Sequence, residues 1–213
     1  MLIYYDPHRN REDVLTGHLE AYFANLQNAL ASVNCTGPRG EKLTRDEAYE
    51  RALEMAIASA QAGCKQIFIG NGGSAAIASH MAIDFSKNGG LPAVCFNDGA
   101  ALTCLGNDFG YEEVFSRQIQ FHARPGDILF AISSSGASKN ILNAVEAAFE
   151  KGCRVVTLSG FSPANPLRSL GEVNFHVAVY EYGIVEIAHA ALIHALVELK
   201  RAIGDCVLIQ AAD

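Results

Sequence analysis

Apolar residues recur at helical spacing over residues 11–33, where Leu15, Leu19, Tyr22, Phe23, Leu26 and Leu30 mark a predicted amphipathic helix. The turn-rich stretch "NCTGPRGEK" ends it. A second helix is predicted from Thr44 as N-cap, with acidic residues in its first turn and Gly63 as its stop. From Lys65 onward the pattern changes to short continuous apolar runs: "KQIFIG", "PAVCF", "DILFAIS", "RVVTLSG" and "NFHVAV". Helix-like segments starting near Ser74, Asp98, Tyr111 and Ser138 separate them, with a weaker one near Asn165 and a long last one over about 184–203. Strands without polar interruption, alternating with helices, predict a parallel sheet covered on both faces. The expected fold is a single α/β domain, a three-layer αβα arrangement on five parallel strands. Its N-terminal helices span about 11–62 and its α/β core about 63–204.

Composition narrows this picture. A chain of 213 residues, half of them hydrophobic, suits one domain with a sizeable core. A net charge of −7 without a Lys/Arg cluster argues against a nucleic-acid groove. No apolar run is read as reaching the roughly 18–20 residues that cross a bilayer, so no membrane partner is expected. The start, "MLIYYDPHRNRED", lacks the basic-then-apolar layout of an export signal. Six cysteines without CxxC pairing then read as reduced thiols of a cytoplasmic protein.

The chemistry concentrates in two strand-to-helix turns. "IFIGNGGSAAIASH" places Gly70, Gly72 and Gly73 between a strand and a helix, with Ser74 as hydroxyl donor and N-cap. Glycine lets a ligand approach the backbone, and free N–H groups at a helix start favour an anion. Gly70 to Ala75 also fits G-x-G-x-x-A, the dinucleotide fingerprint, whose ribose-binding acid should follow about 20 residues on. The nearest candidate, Asp98, lies 28 residues beyond Gly70. The second turn, "AISSSGASKN", gathers Ser133, Ser134, Ser135 and Ser138 around Gly136. Such a donor-dense bend makes a nest for a small anion. Two nests at strand ends fit a small phosphorylated molecule lying between them. Neither carries the Gly-Lys-Ser/Thr ending of a nucleoside-triphosphate loop.

With "NDGAALTCLGNDFGYEEVFSRQI" added to those two turns, the chain resembles the SIS (sugar isomerase) domain family from about Arg45 to Lys200, and most of all its phosphoheptose isomerases. The resemblance implies a flavodoxin-like three-layer fold. It also implies that Asn71, Gly72, Gly73 and Ser74 line a sugar-phosphate pocket, that Ser133, Ser134, Ser135 and Ser138 hold the phosphate, and that Asn97 and Asp98 contact sugar hydroxyls. The family's catalytic Glu corresponds to Asp84 and its catalytic His to His194. His80 and Glu186 complete the family's four-residue set, which binds zinc in some members. His189 also matches a family histidine and is expected to be structural. The implied partners are a sugar phosphate and further copies of the chain, a homotetramer with active sites at subunit interfaces. No nicotinamide or flavin cofactor is expected.

Spacing is compatible with these roles. His80 and Asp84 stand four apart and share a helix face, and Glu186 and His194, eight apart, roughly share another. Two histidines and two carboxylates can bind a divalent ion, or can move a proton between adjacent carbons. Three positions depart from the family pattern. Asp84 is one methylene shorter than Glu, a reach reduced by about 1.5 Å. Glu186 puts an acid where the family has Gln, and Asn88 replaces an Arg. Two function classes therefore stay open. One is an isomerase converting sedoheptulose 7-phosphate to a heptose 7-phosphate through an enediol. The other is a non-catalytic SIS protein that senses a sugar phosphate or recruits a partner such as a replication initiator.

Overall fold

The structure is a computed structural model that describes residues 11–210, with side chains over 15–204. Helix α1 (Arg11–Ala31) leads into a short hairpin, β1 (Asn34–Thr36) and β2 (Lys42–Leu43). Helix α2 (Arg45–Gln61) follows, and then β3 (Gln66–Gly70), α3 (Gly73–Lys87), β4 (Ala93–Cys95), α4 (Gly99–Phe109) and α5 (Val114–His122). The second half holds β5 (Ile128–Ser133), α6 (Lys139–Glu150), β6 (Arg154–Gly160), β7 (Val173–Val177) and α7 (Tyr182–Gln210). Local chemistry explains several boundaries. Thr44 caps α2 in a reciprocal box, its hydroxyl accepting from Glu47 N–H at 3.2 Å while Thr44 N–H donates to the Glu47 carboxylate at 2.7 Å. The predicted helix near Asn165 is only a 3₁₀ turn, Pro166–Ser169.

The sheet runs β2-β1-β7-β6-β5-β3-β4. Five neighbours, β7 to β4, are parallel as expected. The sheet as a whole is mixed and seven-stranded, because the hairpin adds two antiparallel strands to the free edge of β7, with Asn34 opposite His176 and Cys35 opposite Leu43. The predicted plain connector over this hairpin is thus corrected. Strands of three and two residues are too short to show a period, and their partner lies far along the chain.

Alternation along the parallel strands feeds two cores. Phe68, Phe130, Val156 and Phe175 point to one face, against α2, α3 and α7. Ile67, Ile69, Leu129 and Val155 point to the other, against α4, α5 and α6. The result is the three-layer αβα arrangement. Residues Tyr182–Gly204 of α7 are long and apolar enough by composition to cross a bilayer, which corrects the reading that no run reaches that length. In the fold this helix is a core element, with Ile184, Val185, Ala188, Ile193 and Val197 buried against the sheet.

Strand order decides where a ligand goes. The chain leaves β3 for β4 on one side and then returns to β5 on the other. At such a switch point the helices diverge beyond the strands' carboxyl ends and leave a crevice. Both Gly- and Ser-bearing turns open there.

Candidate active site

The two turns meet in one pocket of about 230 Å³. Asn71, Gly72, Gly73 and Ser74 come from the β3–α3 turn, Ser133, Ser134, Ser135 and Ser138 from the β5–α6 turn, and Tyr182 and Glu186 from the first turns of α7. Nine of the predicted residues are thereby brought together. Gly72, the N-cap of α3, has φ +54°, ψ −122°, a conformation closed to side chains, and it leaves the helix start without a side-chain cap. Ser74 lies inside α3 rather than capping it, which corrects that expectation. Ser133 Oγ accepts from Gly136 N–H at 3.2 Å and donates to Ser138 Oγ at 3.5 Å, while Ser135 Oγ accepts from Ala137 N–H at 3.3 Å and keeps its hydrogen free. Ser134 Oγ is buried and has no partner within the protein. An unsatisfied buried hydroxyl costs about 1–3 kcal/mol and points to a group that completes it.

The pocket contains no Lys or Arg among its lining residues, and its one carboxylate is Glu186. That carboxylate lies so close over Gly73 that a Cβ there would fall 2.4 Å from it. A side chain at 73 would therefore push the end of the Glu186 side chain aside. Behind the pocket, His189 is fully buried and its Nε2–H donates to Ser159 O at 3.0 Å. Burial outweighs that hydrogen bond and pushes its pKa down to about 4, so the ring is neutral and structural.

A second cluster lies further along α3 and α7. His194 Nδ1 stands 3.2 Å from Asp84 Oδ2, and the His80 and His194 rings are 5.1 Å apart. The Asn88 amide donates to the other Asp84 oxygen. Asp84 and His194 are thus held together within one chain. Asp84 is only 11% exposed and His194 42%, a sheltered carboxylate beside an accessible imidazole.

Other expectations shift. Asp98 is the N-cap of α4, accepting from Ala101 N–H at 2.9 Å. Asn97 donates to Ala75 O at 2.7 Å and Ser79 Oγ at 3.0 Å, on the β4 side of α3. Neither residue lines the pocket. Sequence reasoning missed Tyr182, and also Asn140, whose carboxamide pairs with that of Asn71. The second turn did contain Asn140, but nothing local distinguishes it from a helix-surface amide.

This geometry bears on the four-residue metal set. His80, Asp84 and His194 carry zinc-type donors. Glu186, however, is pressed on Gly73, two turns of α7 from His194, and both Asp84 oxygens are engaged by protein. Among the described residues no three His, Cys, Asp or Glu side chains converge as an ion requires. Within one chain the set does not fit a metal.

Comparison with known proteins decides the family. Residues 39–160 match the SIS domain. The chain belongs to the SIS domain family. It is 38% identical to the phosphoheptose isomerase of Enterobacter sp. (strain 638) over 160 residues, 71% of this chain and 82% of that protein. It is 40% identical to the phosphoheptose isomerase of Serratia proteamaculans (strain 568), over 72% of this chain and 82% of the relative. The structure of phosphoheptose isomerase GmhA from Neisseria gonorrhoeae superposes with a TM-score of 0.75 at 30% identity, covering 91% of this chain and 100% of that one. Within the SIS family the chain therefore stands with the phosphoheptose isomerases, as its two turns and the "GNDFGYEEVFSRQ" segment anticipated. The Gly70 to Ala75 turn lines the same pocket as the serine turn across the switch point.

Proposed function

We propose that the chain is an aldose–ketose isomerase of a sugar phosphate, converting sedoheptulose 7-phosphate to D-glycero-D-manno-heptose 7-phosphate. The observation that carries this reading is the Asp84–His194 pair, set on the same two helices whose first turns wall the phosphate pocket. A pocket alone would serve a sensor. A carboxylate and an imidazole 3.2 Å apart add an acid–base couple.

In the proposed reaction the phosphate sits between the turns and accepts hydrogen bonds from Ser133, Ser134, Ser135, Ser138 and Ser74. The sugar chain runs toward an Asp84–His194 pair. Asp84 removes the proton alpha to the carbonyl, and His194 protonates the carbonyl oxygen, giving an enediol. Asp84 then returns the proton to the former carbonyl carbon while His194 takes the proton of the other enediol hydroxyl, which forms the new carbonyl and restores both groups, so no redox cofactor takes part. No step passes through a metal.

Distance favours a long substrate. Glu186 and His194, eight residues apart on α7, are separated by about 12 Å. An extended seven-carbon chain with its phosphate spans about 10 Å. The face of α3 and α7 bearing this pair is exposed in one chain and flanked by Ile83 and Ile187, 60% and 44% exposed. We place a second copy over it, in a cytoplasmic homotetramer whose neighbouring subunits close one another's sites. Incubation with sedoheptulose 7-phosphate and analysis of products tests the reading. Formation of an aldoheptose 7-phosphate is expected, and tight binding without turnover would overturn it in favour of a sensor.

A further inference from the structure

The phosphate pocket is smaller than the ligand assigned to it. At about 230 Å³ it falls below the roughly 300–1,000 Å³ of ordinary small-molecule sites. It can hold a phosphate and the carbons next to it, and the rest of a heptose must lie on adjoining surface. One wall of the pocket, Tyr182, continues outward into an aromatic group. The Phe161 ring meets Tyr182 edge to face at 4.7 Å and lies parallel to Tyr180, 10° off, at 5.8 Å. Tyr180 and Tyr182 are 69% and 62% exposed. Large aromatic surface left open beside a polar pocket marks a place where another apolar face is meant to sit.

The backbone carries a second sign. Phe161 has φ +56°, although it is neither glycine nor asparagine. For a bulky residue this left-handed conformation is an outlier that persists only where neighbouring structure imposes it, and such strain gathers at ligand sites. Here the imposition is visible. Phe161 N–H donates to Val179 O at 3.2 Å, tying the segment after β6 to the segment after β7. The preceding Gly160 packs so closely that a Cβ would fall 3.0 Å from Ser134 O, a residue of the phosphate pocket. The strained turn thus fixes the aromatic rings relative to the phosphate donors.

We propose that Phe161, Tyr180 and Tyr182 form a stacking platform for the ring of the sugar, which docks as its cyclic hemiketal with phosphate in the pocket and its C–H face on the tyrosines. The inference rests on the sugar-phosphate reading above. Ketoses of this length close on their own hydroxyls, so a ring is what the pocket first meets. The platform separates ring-closing phosphates from those too short to cyclise.

Two probes test it, sedoheptulose 7-phosphate, which cyclises, and glycerol 3-phosphate, which cannot. Binding is measured by calorimetry on the full chain. Tyr180→Ala is expected to weaken sedoheptulose 7-phosphate about tenfold, the scale of one lost aromatic contact, while glycerol 3-phosphate stays within about twofold. Tyr180→Phe, which keeps the ring, is expected to bind both as the parent does. Because Tyr180 is exposed, neither change threatens folding. Equal weakening of both probes, or of neither, would overturn the platform while leaving the phosphate pocket standing. A change in oligomeric mass on light scattering with unchanged preference would also overturn it, marking the rings as a subunit contact. Failure of both probes to bind the unaltered chain would remove the sugar-phosphate reading and the platform together.

Discussion

The carboxamides of Asn71 and Asn140 face each other, each donating to the other at 2.9 Å, and Tyr111 adds a third bond, its hydroxyl donating to Asn71 Oδ1 at 3.0 Å. Asn71 belongs to the glycine turn and Asn140, 3% exposed, to the first turn of α6. The pair is therefore a strut between the two halves of the pocket. Its loss should alter the spacing of the donors more than the stability of the sheet below. Asn140→Ala and Asn71→Ala are each expected to weaken inorganic phosphate about tenfold, and the double variant no more than either single one, since a reciprocal pair is lost whole. A double-mutant cycle read by phosphate titration checks this. Simple additivity of the two losses would show that the residues act separately.

Glu186 sets the sign of the next effect. A carboxylate in a pocket without Lys or Arg repels a phosphate dianion, and like charges about 6 Å apart at a wet surface cost about 1 kcal/mol. Glu186→Gln should bind inorganic phosphate about fivefold more tightly, with the gain shrinking as salt is raised. Phosphate titration at low and high ionic strength measures it, and weaker binding by the variant would mean that the acid is a ligand contact of its own.

How far the chain could be read locally depends on the range of the interaction. The parallel strands were legible because burial on both faces leaves unbroken apolar runs such as Ile67–Ile69 and Ile128–Ile132. The turns were legible because close backbone approach needs glycine and anion binding needs hydroxyls. The hairpin at Asn34–Leu43 was not, since its apolar pattern is shorter than one period and its meaning comes from β7. Asn97 and Asp98 carry the right chemistry for sugar contacts, but the Asn97 NH2 is held by α3, its Oδ1 is buried without a partner, and Asp98 caps α4, so neither reaches the pocket. The Phe161–Tyr180–Tyr182 group joins segments after two different strands, which no local window contains.

Two neutral histidines make stability depend on acid. Burial, assisted for His176 by Arg168 and for His189 by His176, pushes both pKa values from the usual range to about 4. Unfolding returns them to about 6.5, so between pH 6.5 and 4 the unfolded chain binds more protons than the folded one. Stability is present in full above about pH 6.5, is lost as pH falls toward about 4, and the loss amounts to up to about 3 kcal/mol per ring. Urea unfolding at pH 7.5, 5.5 and 4.5 should show that decline. His189→Gln, whose amide can still donate to Ser159 O, should flatten it, and an unchanged slope would assign the acid sensitivity elsewhere.

The Asp84–His194 contact separates chemistry from binding. Neither residue lines the phosphate pocket, so removing either should leave anion affinity intact while turnover collapses. Loss of a positioned acid or base lowers rates by about 10²–10⁴-fold. Asp84→Asn is the sharper variant, because the amide nearly matches the carboxylate in shape, still accepts from Asn88 through its oxygen, and cannot take a proton. It is expected to lose about 10³-fold in kcat with inorganic phosphate inhibiting as before. His194→Gln should behave alike, and the double variant should be little worse than Asp84→Asn, since two groups of one proton relay do not fail independently. Hydrogen exchange from solvent into the substrate carbon next to the carbonyl gives a second readout. That exchange should vanish in Asp84→Asn, where the first proton is never removed. In His194→Gln it should persist above the overall turnover, because proton removal at carbon can still occur without the acid. Retention of both turnover and exchange in Asp84→Asn would mean that another base does this chemistry and that the pair seen here only braces α3 against α7.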